Sequence, residues 1–235
     1  MSLPKIEHPI FKIKIPSTKR EVRFRPFLVK EEKILLIAKT SEQENDILLA
    51  IKQVVNNCAL DELNIDKLAL FDVEYLFLQI RAQSVNNIVS VTYRDNEDNM
   101  DYDFDIDLNN VNVVFPLNQE KTIKLTETSG IVMKYPEASL YDDKEFLNSG
   151  EEAFYQLVLR CIEKFYDAEN VYDTKNYTIK EVSEYVDNLD VKTFDKVRDF
   201  ILNQPKLNYV IEYKNKLGNK RKIELTSLTD FFTLR

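Results

Sequence analysis

Residues 99–111 read NMDYDFDIDLNNV, a run in which acidic and apolar side chains alternate. The alternating positions are Asp101, Asp103, Asp105 and Asp107 on one side and Tyr102, Phe104, Ile106 and Leu108 on the other. A period of two is typical of a β-strand that has one face in water and the other against a core. The run therefore predicts a half-buried strand at the centre of the chain.

Other segments around this strand show the same period. IVSVTYR at 88–94 and the turn DNEDN at 95–99 complete a predicted hairpin with it. Further short strands are predicted at 111–115, 121–125 and 131–135. Additional hairpins are predicted near the two ends of the chain, at 11–25 around the turn PSTKR and at 207–225 around KNKLGNK. Short antiparallel strands and hairpins should therefore recur along the sequence.

Two regions have helical periodicity instead, from about 29 to 84 and from about 149 to 204. Helix starts are predicted at the capping pairs Ser41 with Glu44, Ser149 with Glu152 and Thr178 with Glu181, and at Asp190. Residues 152–167, EAFYQLVLRCIEKFYD, are predicted as a single amphipathic helix. The expected fold class is α+β. We divide it into an N-terminal α+β unit at 1–136 and a mainly helical C-terminal unit at 137–235, closed by a hairpin.

Composition excludes several classes of function. Three glycines, Gly130, Gly150 and Gly218, stand too far apart for a phosphate-binding loop or a dinucleotide fingerprint. A formal net charge of −8 argues against general binding of nucleic acid or anionic membranes. No apolar run approaches the roughly 18 residues of a membrane span, and no signal peptide is recognisable. We expect a protein that is made and used in solution.

Residues able to carry out catalysis are scarce. His8 is the one histidine, and Cys58 and Cys161 are about a hundred residues apart in apolar contexts, which predicts buried, reduced thiols. A calcium-binding EF-hand loop needs Gly at its sixth position and a bidentate acidic residue at its twelfth. Counted from Asp101, these positions are Ile106 and Asn112, so the acidic run does not match the loop. We therefore predict no catalytic, cofactor-binding or metal-binding residues. A metal-dependent or carboxylate enzyme using the acidic centre is kept as the alternative from another class.

Protein contact is the remaining kind of site. A basic hairpin carries Arg20, Arg23 and Arg25, which are expected to face either a protein partner or solvent. Asp103 and Asp105 are expected to be solvated or to dock against a basic partner surface. The terminal aromatic pair, Phe231 and Phe232, fits either a core or an exposed contact surface. These seven residues are our candidate partner-binding set.

Five blocks of sequence resemble one family. They are RFRPFLVKEEKILLIA at 23–38, AIKQVVNNC at 50–58, LFDVEYLFLQIRAQSVN at 70–86, IKLTETSGIVMKYP at 123–136 and IELTSLTDFF at 223–232. Together they resemble the baseplate hub subunits and hub-assembly proteins of T-even-type contractile-tailed bacteriophages. None of the blocks is a catalytic motif.

The resemblance implies a late, non-enzymatic protein that works through contacts with other tail and baseplate hub proteins. It implies a location in the host cytoplasm during assembly and, for a hub subunit, in the baseplate of the virion tail. A transient assembly chaperone that binds the tape-measure protein and is absent from the virion is the alternative within this reading. No cofactor, nucleic acid or membrane is implied, and the oligomeric state stays open.

Overall fold

The computed structural model describes residues 6–41, 44–117 and 119–231. These form two compact units, unit 1 from Met1–Val114 with Lys206–Arg235 and unit 2 from Phe115–Pro205. In these residues the paired strands are antiparallel, and helices alternate with groups of strands along the chain. The α+β class predicted from the sequence is confirmed.

Unit 1 combines three helices with three small sheets. Its elements are β1 Phe11–Lys14, β2 Glu21–Phe24, α1 Val29–Thr40, α2 Glu44–Cys58, α3 Leu70–Ser84, β3 Ile88–Arg94, β4 Asp101–Asp107, β5 Asn112–Val114, β10 Lys206–Lys214 and β11 Lys220–Leu225. The sheets have the orders β1-β2, β3-β4 and β11-β10-β5. Helix α2 buries one face, because its apolar side chains recur at three and four residues, whereas α3 is buried on most sides.

Unit 2 is a four-stranded sheet with four helices. Its elements are β6 Thr122–Lys124, β7 Gly130–Met133, α4 Lys144–Leu147, α5 Ala153–Arg160, β8 Ile162–Tyr166, β9 Val171–Asp173, α6 Ile179–Asp187 and α7 Val191–Leu202. The sheet has the order β6-β7-β8-β9. Side chains of β7, α5, β8, α6 and α7 form its apolar core, which includes Ile131, Val158, Val182 and Val197.

The boundary between the units differs from the division at residue 136. Strand β10 pairs with β5, with Lys206 opposite Val114, so the C-terminal hairpin belongs to unit 1. Strand β7 pairs with β8, with Ile131 opposite Phe165, so residues before 136 belong to unit 2. Both pairings join segments far apart in the chain. Strand pairing, and not the order of segments along the chain, therefore decides which segments belong to each unit.

The prediction of a single helix over residues 152–167 is wrong. Helix α5 ends at Arg160, and residues 162–166 form strand β8. Apolar residues at 162 and 165 suit a helix as well as a strand, but β7 offers backbone partners to this segment. Buried Cys161 lies at the change of structure.

The predicted helix starts have mixed outcomes. Thr178 and Glu181 form the expected reciprocal capping box on α6, and Asp190 caps α7 by accepting from the amide of Thr193. Ser149 does not cap a helix, since its hydroxyl donates to the carbonyl of Phe146. The predicted start after Ser41 involves residues 42 and 43, which lie outside the described residues.

Gly130 lies where two strands leave no room for a side chain. An added Cβ would stand 2.5 Å from the Tyr166 hydroxyl oxygen and 2.6 Å from the Ile123 carbonyl oxygen. Because the carbonyl belongs to the paired backbone of β6, we expect Gly130→Ala to lower the free energy of unfolding by about 1–3 kcal/mol. Urea unfolding followed by circular dichroism measures this change.

Gly218 supplies the control for that experiment. Its φ is +86° and no atom lies within 4 Å of a Cβ placed there. Asparagine tolerates the left-handed region better than most side chains, so Gly218→Asn should lower the unfolding midpoint less than Gly130→Ala does. Equal stability of Gly130→Ala and the natural chain would show that the close approach at β7 is easily relieved.

Candidate interaction surfaces

Arg20 and Arg23 hold a neighbouring loop against the basic hairpin of β1 and β2. Arg20 Nη2 donates to the carbonyl of Glu62 at 2.8 Å. Arg23 binds the Asp61 carboxylate through Nη2 at 2.6 Å and Nε at 2.9 Å, and its side chain stays 55% exposed. The hydrogen bond and charge of Arg23 lower the pKa of Asp61. Both arginines therefore have an internal partner, and their role toward a second protein stays a prediction.

Arg25 is not on the exposed side of the hairpin. Its guanidinium forms a two-pronged pair with Glu31, with Nη1 to Oε2 at 3.1 Å and Nη2 to Oε1 at 3.0 Å. Nη2 also donates to the Asn57 carbonyl at 2.8 Å. The Arg25 side chain is 13% exposed and that of Glu31 is fully buried. The Arg25 guanidinium therefore links the end of β2 to α1 and α2 inside unit 1.

The acidic strand β4 has the predicted two faces. Ser90 and Thr92 of β3 donate hydroxyl hydrogen bonds to Asp105 and Asp103 at 2.6 and 2.7 Å. Both carboxylates remain exposed. Asp103 and Asp105 thus each accept one hydrogen bond from the neighbouring strand and otherwise face solvent. Docking of a basic partner at this face stays a prediction.

The apolar face of β4 packs inward as expected. Tyr102 and Phe104 are half-buried and Ile106 is fully buried. The rings of Tyr102 and Phe104 lie 5.0 and 5.1 Å from that of Tyr213 on β10, measured between centroids. The aromatic residues between the aspartates therefore fasten the β3-β4 hairpin to the C-terminal hairpin.

The acidic turn before β4 has a structural role that the sequence did not suggest. Tyr213 donates its hydroxyl to buried Asp95 at 2.5 Å, and Asn215 Nδ2 donates to Glu97 at 2.6 Å. Arg221 adds a contact of 3.1 Å to Glu97. Burial and the Asp95 carboxylate raise the pKa of Tyr213 to about 12. These pairs join residues more than a hundred positions apart, which no local pattern reveals.

The C-terminal aromatic pair is divided by the described range. Phe231 is fully buried, in agreement with the core reading, and Phe232 lies outside the described residues. Asp230 accepts from the amides of Thr226 and Ser227 at 2.8 and 2.9 Å, which shapes the turn that carries Phe231 inward. Phe231 is thus part of the core of unit 1.

Helix α1 presents three exposed apolar side chains on its outer side, with charged neighbours such as Lys33 among them. Val29, Leu36 and Ile37 are 67%, 58% and 71% exposed, and their spacing of seven and eight places them on one side of the helix. The opposite side buries Glu31 and Ala38. From the sequence, the apolar run at 34–38 was predicted only as part of a helix. The spacing of Val29, Leu36 and Ile37 is the pattern that could have indicated an exposed apolar surface.

The one histidine and the two cysteines lie in different surroundings. His8 is exposed, and burial raises the pKa of the thiols of Cys58 and Cys161 to about 11 and about 12. Within the described ranges, no three His, Cys, Asp or Glu side chains are grouped as metal ligands would be. In those same ranges no helix has the length and apolarity needed to cross a membrane.

A family model described as T4 bacteriophage base plate protein matches residues 8–233. The match spans both units and includes residues 137–222, between the blocks of the resemblance. No curated protein and no solved structure matches the chain.

Proposed function

The chain belongs to the family of T4 bacteriophage base plate proteins, and from that premise we propose that it is a structural subunit of the baseplate hub. It contributes surfaces that bind other tail and baseplate proteins. The family supports a place in the virion tail; the hub position comes from the five sequence blocks described above.

The outer face of α1 carries this proposal. Single exposed apolar side chains are common on a protein surface, but three on one side of the same twelve-residue helix form a cluster. Val29, Leu36 and Ile37 form a stripe of the kind that the core of a lasting protein interface buries. We assign another baseplate protein as its partner.

We also propose that the protein acts without catalysis and without nucleic acid. Its thiols are buried with raised pKa values, and its one histidine is exposed. The three arginines of the first hairpin are paired with carboxylates or a carbonyl of the same chain. These observations favour contact over chemistry.

The double variant Leu36→Glu and Ile37→Glu tests the role of α1. Two charges in an apolar interface should reduce incorporation of the protein into phage particles by at least tenfold. The isolated chain should keep its melting temperature, since both side chains already face water. Quantitative mass spectrometry of purified particles, from cells that supply only the variant, measures incorporation.

Val191 provides the matched control, because it is 76% exposed and also lies on a helix. Val191→Glu should leave incorporation unchanged. Incorporation of the α1 double variant within twofold of the natural chain would contradict the proposed interface.

The same measurement separates a subunit from a transient chaperone. A hub subunit is present in purified mature particles at a constant copy number. A chaperone for the tape-measure protein is present in infected lysate and absent from those particles. The second result would overturn our assignment and favour the chaperone.

A further inference from the structure

Unit 2 contains an open pocket of about 450 Å³ between the β8-β9 hairpin and α6. Its aromatic lining consists of Phe165, Tyr166, Tyr172, Tyr177 and Tyr185. The rings of Phe165 and Tyr185 lie 4.1 Å apart between centroids. Tyr177 and Tyr185 are 43% and 40% exposed, so aromatic surface remains open to a ligand. Tyrosine in such a position is typical of contact hot spots.

Two carboxylates complete the pocket and are held in place. Asp167 accepts from the amides of Glu169 and Asn170 at 2.9 and 2.8 Å and from the Tyr172 hydroxyl at 2.8 Å. Glu181 accepts from the amide and hydroxyl of Thr178 at 2.7 and 2.8 Å. These hydrogen bonds lower the pKa of both carboxyl groups, so each is ionised at neutral pH.

The charged side chains that line the pocket have one sign. None of its described lining residues is basic. Unit 2 contains 18 acidic and 11 basic residues and so carries most of the chain's formal charge of −8. A larger groove of the same unit, about 580 Å³, mixes Lys124 and Lys196 with Glu120 and Asp199 and has no such preference.

We propose that this aromatic pocket binds the guanidinium group of an arginine in a partner protein of the baseplate. The tyrosine faces attract a cation, and Asp167 and Glu181 supply the opposite charge. A guanidinium is planar and weakly hydrated, so it stacks on rings while donating to a carboxylate, which an ammonium does less well. The inference rests on the proposed function for the source of the arginine.

The pocket is tested on the isolated full-length chain by nuclear magnetic resonance. The chain is labelled on its tyrosine and phenylalanine rings and titrated with N-acetyl-arginine methylamide, and then with the corresponding lysine and proline compounds. We expect saturable shifts of the Tyr177 and Tyr185 ring signals with the arginine probe, with weaker binding of the other two.

Three variants make the test specific. Tyr177→Leu and Asp167→Asn should each weaken the arginine probe about fivefold. Glu184→Gln is the control. Glu184 lies on α6 outside the pocket lining, and its substitution removes the same charge from unit 2 as Asp167→Asn does. It should leave the affinity unchanged. Retained ring signals of Phe165 in each variant show that the pocket still folds.

Several results would overturn the proposal: no saturable shift with the arginine probe, equal or tighter binding of the lysine or proline probe, or equal weakening by Glu184→Gln. Because no baseplate partner is present, this outcome is independent of particle incorporation. Failure of the α1 test would remove the proposed function while leaving the pocket measurement intact.

Discussion

Glu31→Gln is expected to lower the free energy of unfolding by about 3–5 kcal/mol, the usual loss when one partner of a buried ion pair is removed. Glu31 is fully buried and accepts two hydrogen bonds from Arg25 and one from the Leu28 amide. Burial alone would raise the pKa of the Glu31 carboxyl, but these hydrogen bonds outweigh it and lower the pKa. Glutamine leaves the Arg25 charge enclosed without a counterion.

Asp61, in the loop that Arg23 binds, offers the control. It also binds an arginine through two nitrogens, but the Arg23 side chain is more than half exposed. Water screens that pair, so Asp61→Asn should change stability far less. Urea unfolding of both variants, followed by circular dichroism, measures the difference. Equal losses would contradict the distinction between the buried and the exposed pair.

A double variant checks the physical cause. Arg25→Met combined with Glu31→Leu removes both charges and leaves apolar side chains of similar size. Such replacements of buried pairs are often neutral or stabilising. We therefore expect most of the stability lost in Glu31→Gln to return. A double variant as unstable as the single one would show that the Asn57 and Leu28 contacts, and not charge balance, hold this region.

Glu74→Gln is expected to stabilise the protein at pH 8 by an amount on the order of 3 kcal/mol. Glu74 lies on α3, where burial raises the pKa of its carboxyl to about 7 against an ordinary 4.5; Asp230 adds to the rise and a hydrogen bond from the Leu228 amide opposes it. The folded state therefore retains a proton that the unfolded state releases. Stability from this group is full below about pH 4.5 and is lost as pH rises through about 7.

The variant and the natural chain should consequently be alike at pH 5 and differ at pH 8. Urea midpoints at the two pH values measure this, with exposed Glu32→Gln as a control that should change little at either pH. A Glu74→Gln chain no more stable than the natural one at pH 8 would contradict the raised pKa. The result also reports on how the C-terminal turn docks, because the Leu228 amide contacts this carboxylate.

Much of the local structure could be predicted from sequence. The alternation at 101–107 gave the correct faces of β4, and the Thr178 and Asp190 patterns gave two correct helix starts. These successes share a cause, since side-chain period and capping depend on residues within a few positions of one another. The division of residues 152–167 into α5 and β8 was missed because a strand also needs a partner strand.

The candidate surfaces show the same limit. Alternation placed Arg25 beside Arg23, yet Arg25 is buried by Glu31 of α1 and Asn57 of α2. The acidic segment at 95–99 was predicted only as a hairpin turn, and its Asp95 is bound by the C-terminal hairpin. The aromatic pocket collects rings from β8, β9, α6 and the turn between β9 and α6. Each result depends on which distant segments meet.

The sequence by itself determined that this chain is a mixed α and β protein, which of its side chains alternate between core and water, and which family it resembles. Tertiary structure decided which charged side chains form ion pairs within the chain and which apolar side chains stay exposed to solvent. The physical reason is that periodicity is a property of neighbouring residues, whereas burial and ion pairing are set by contacts across the fold. An exposed α1 face and a one-signed aromatic pocket could therefore be recognised only once the chain was folded.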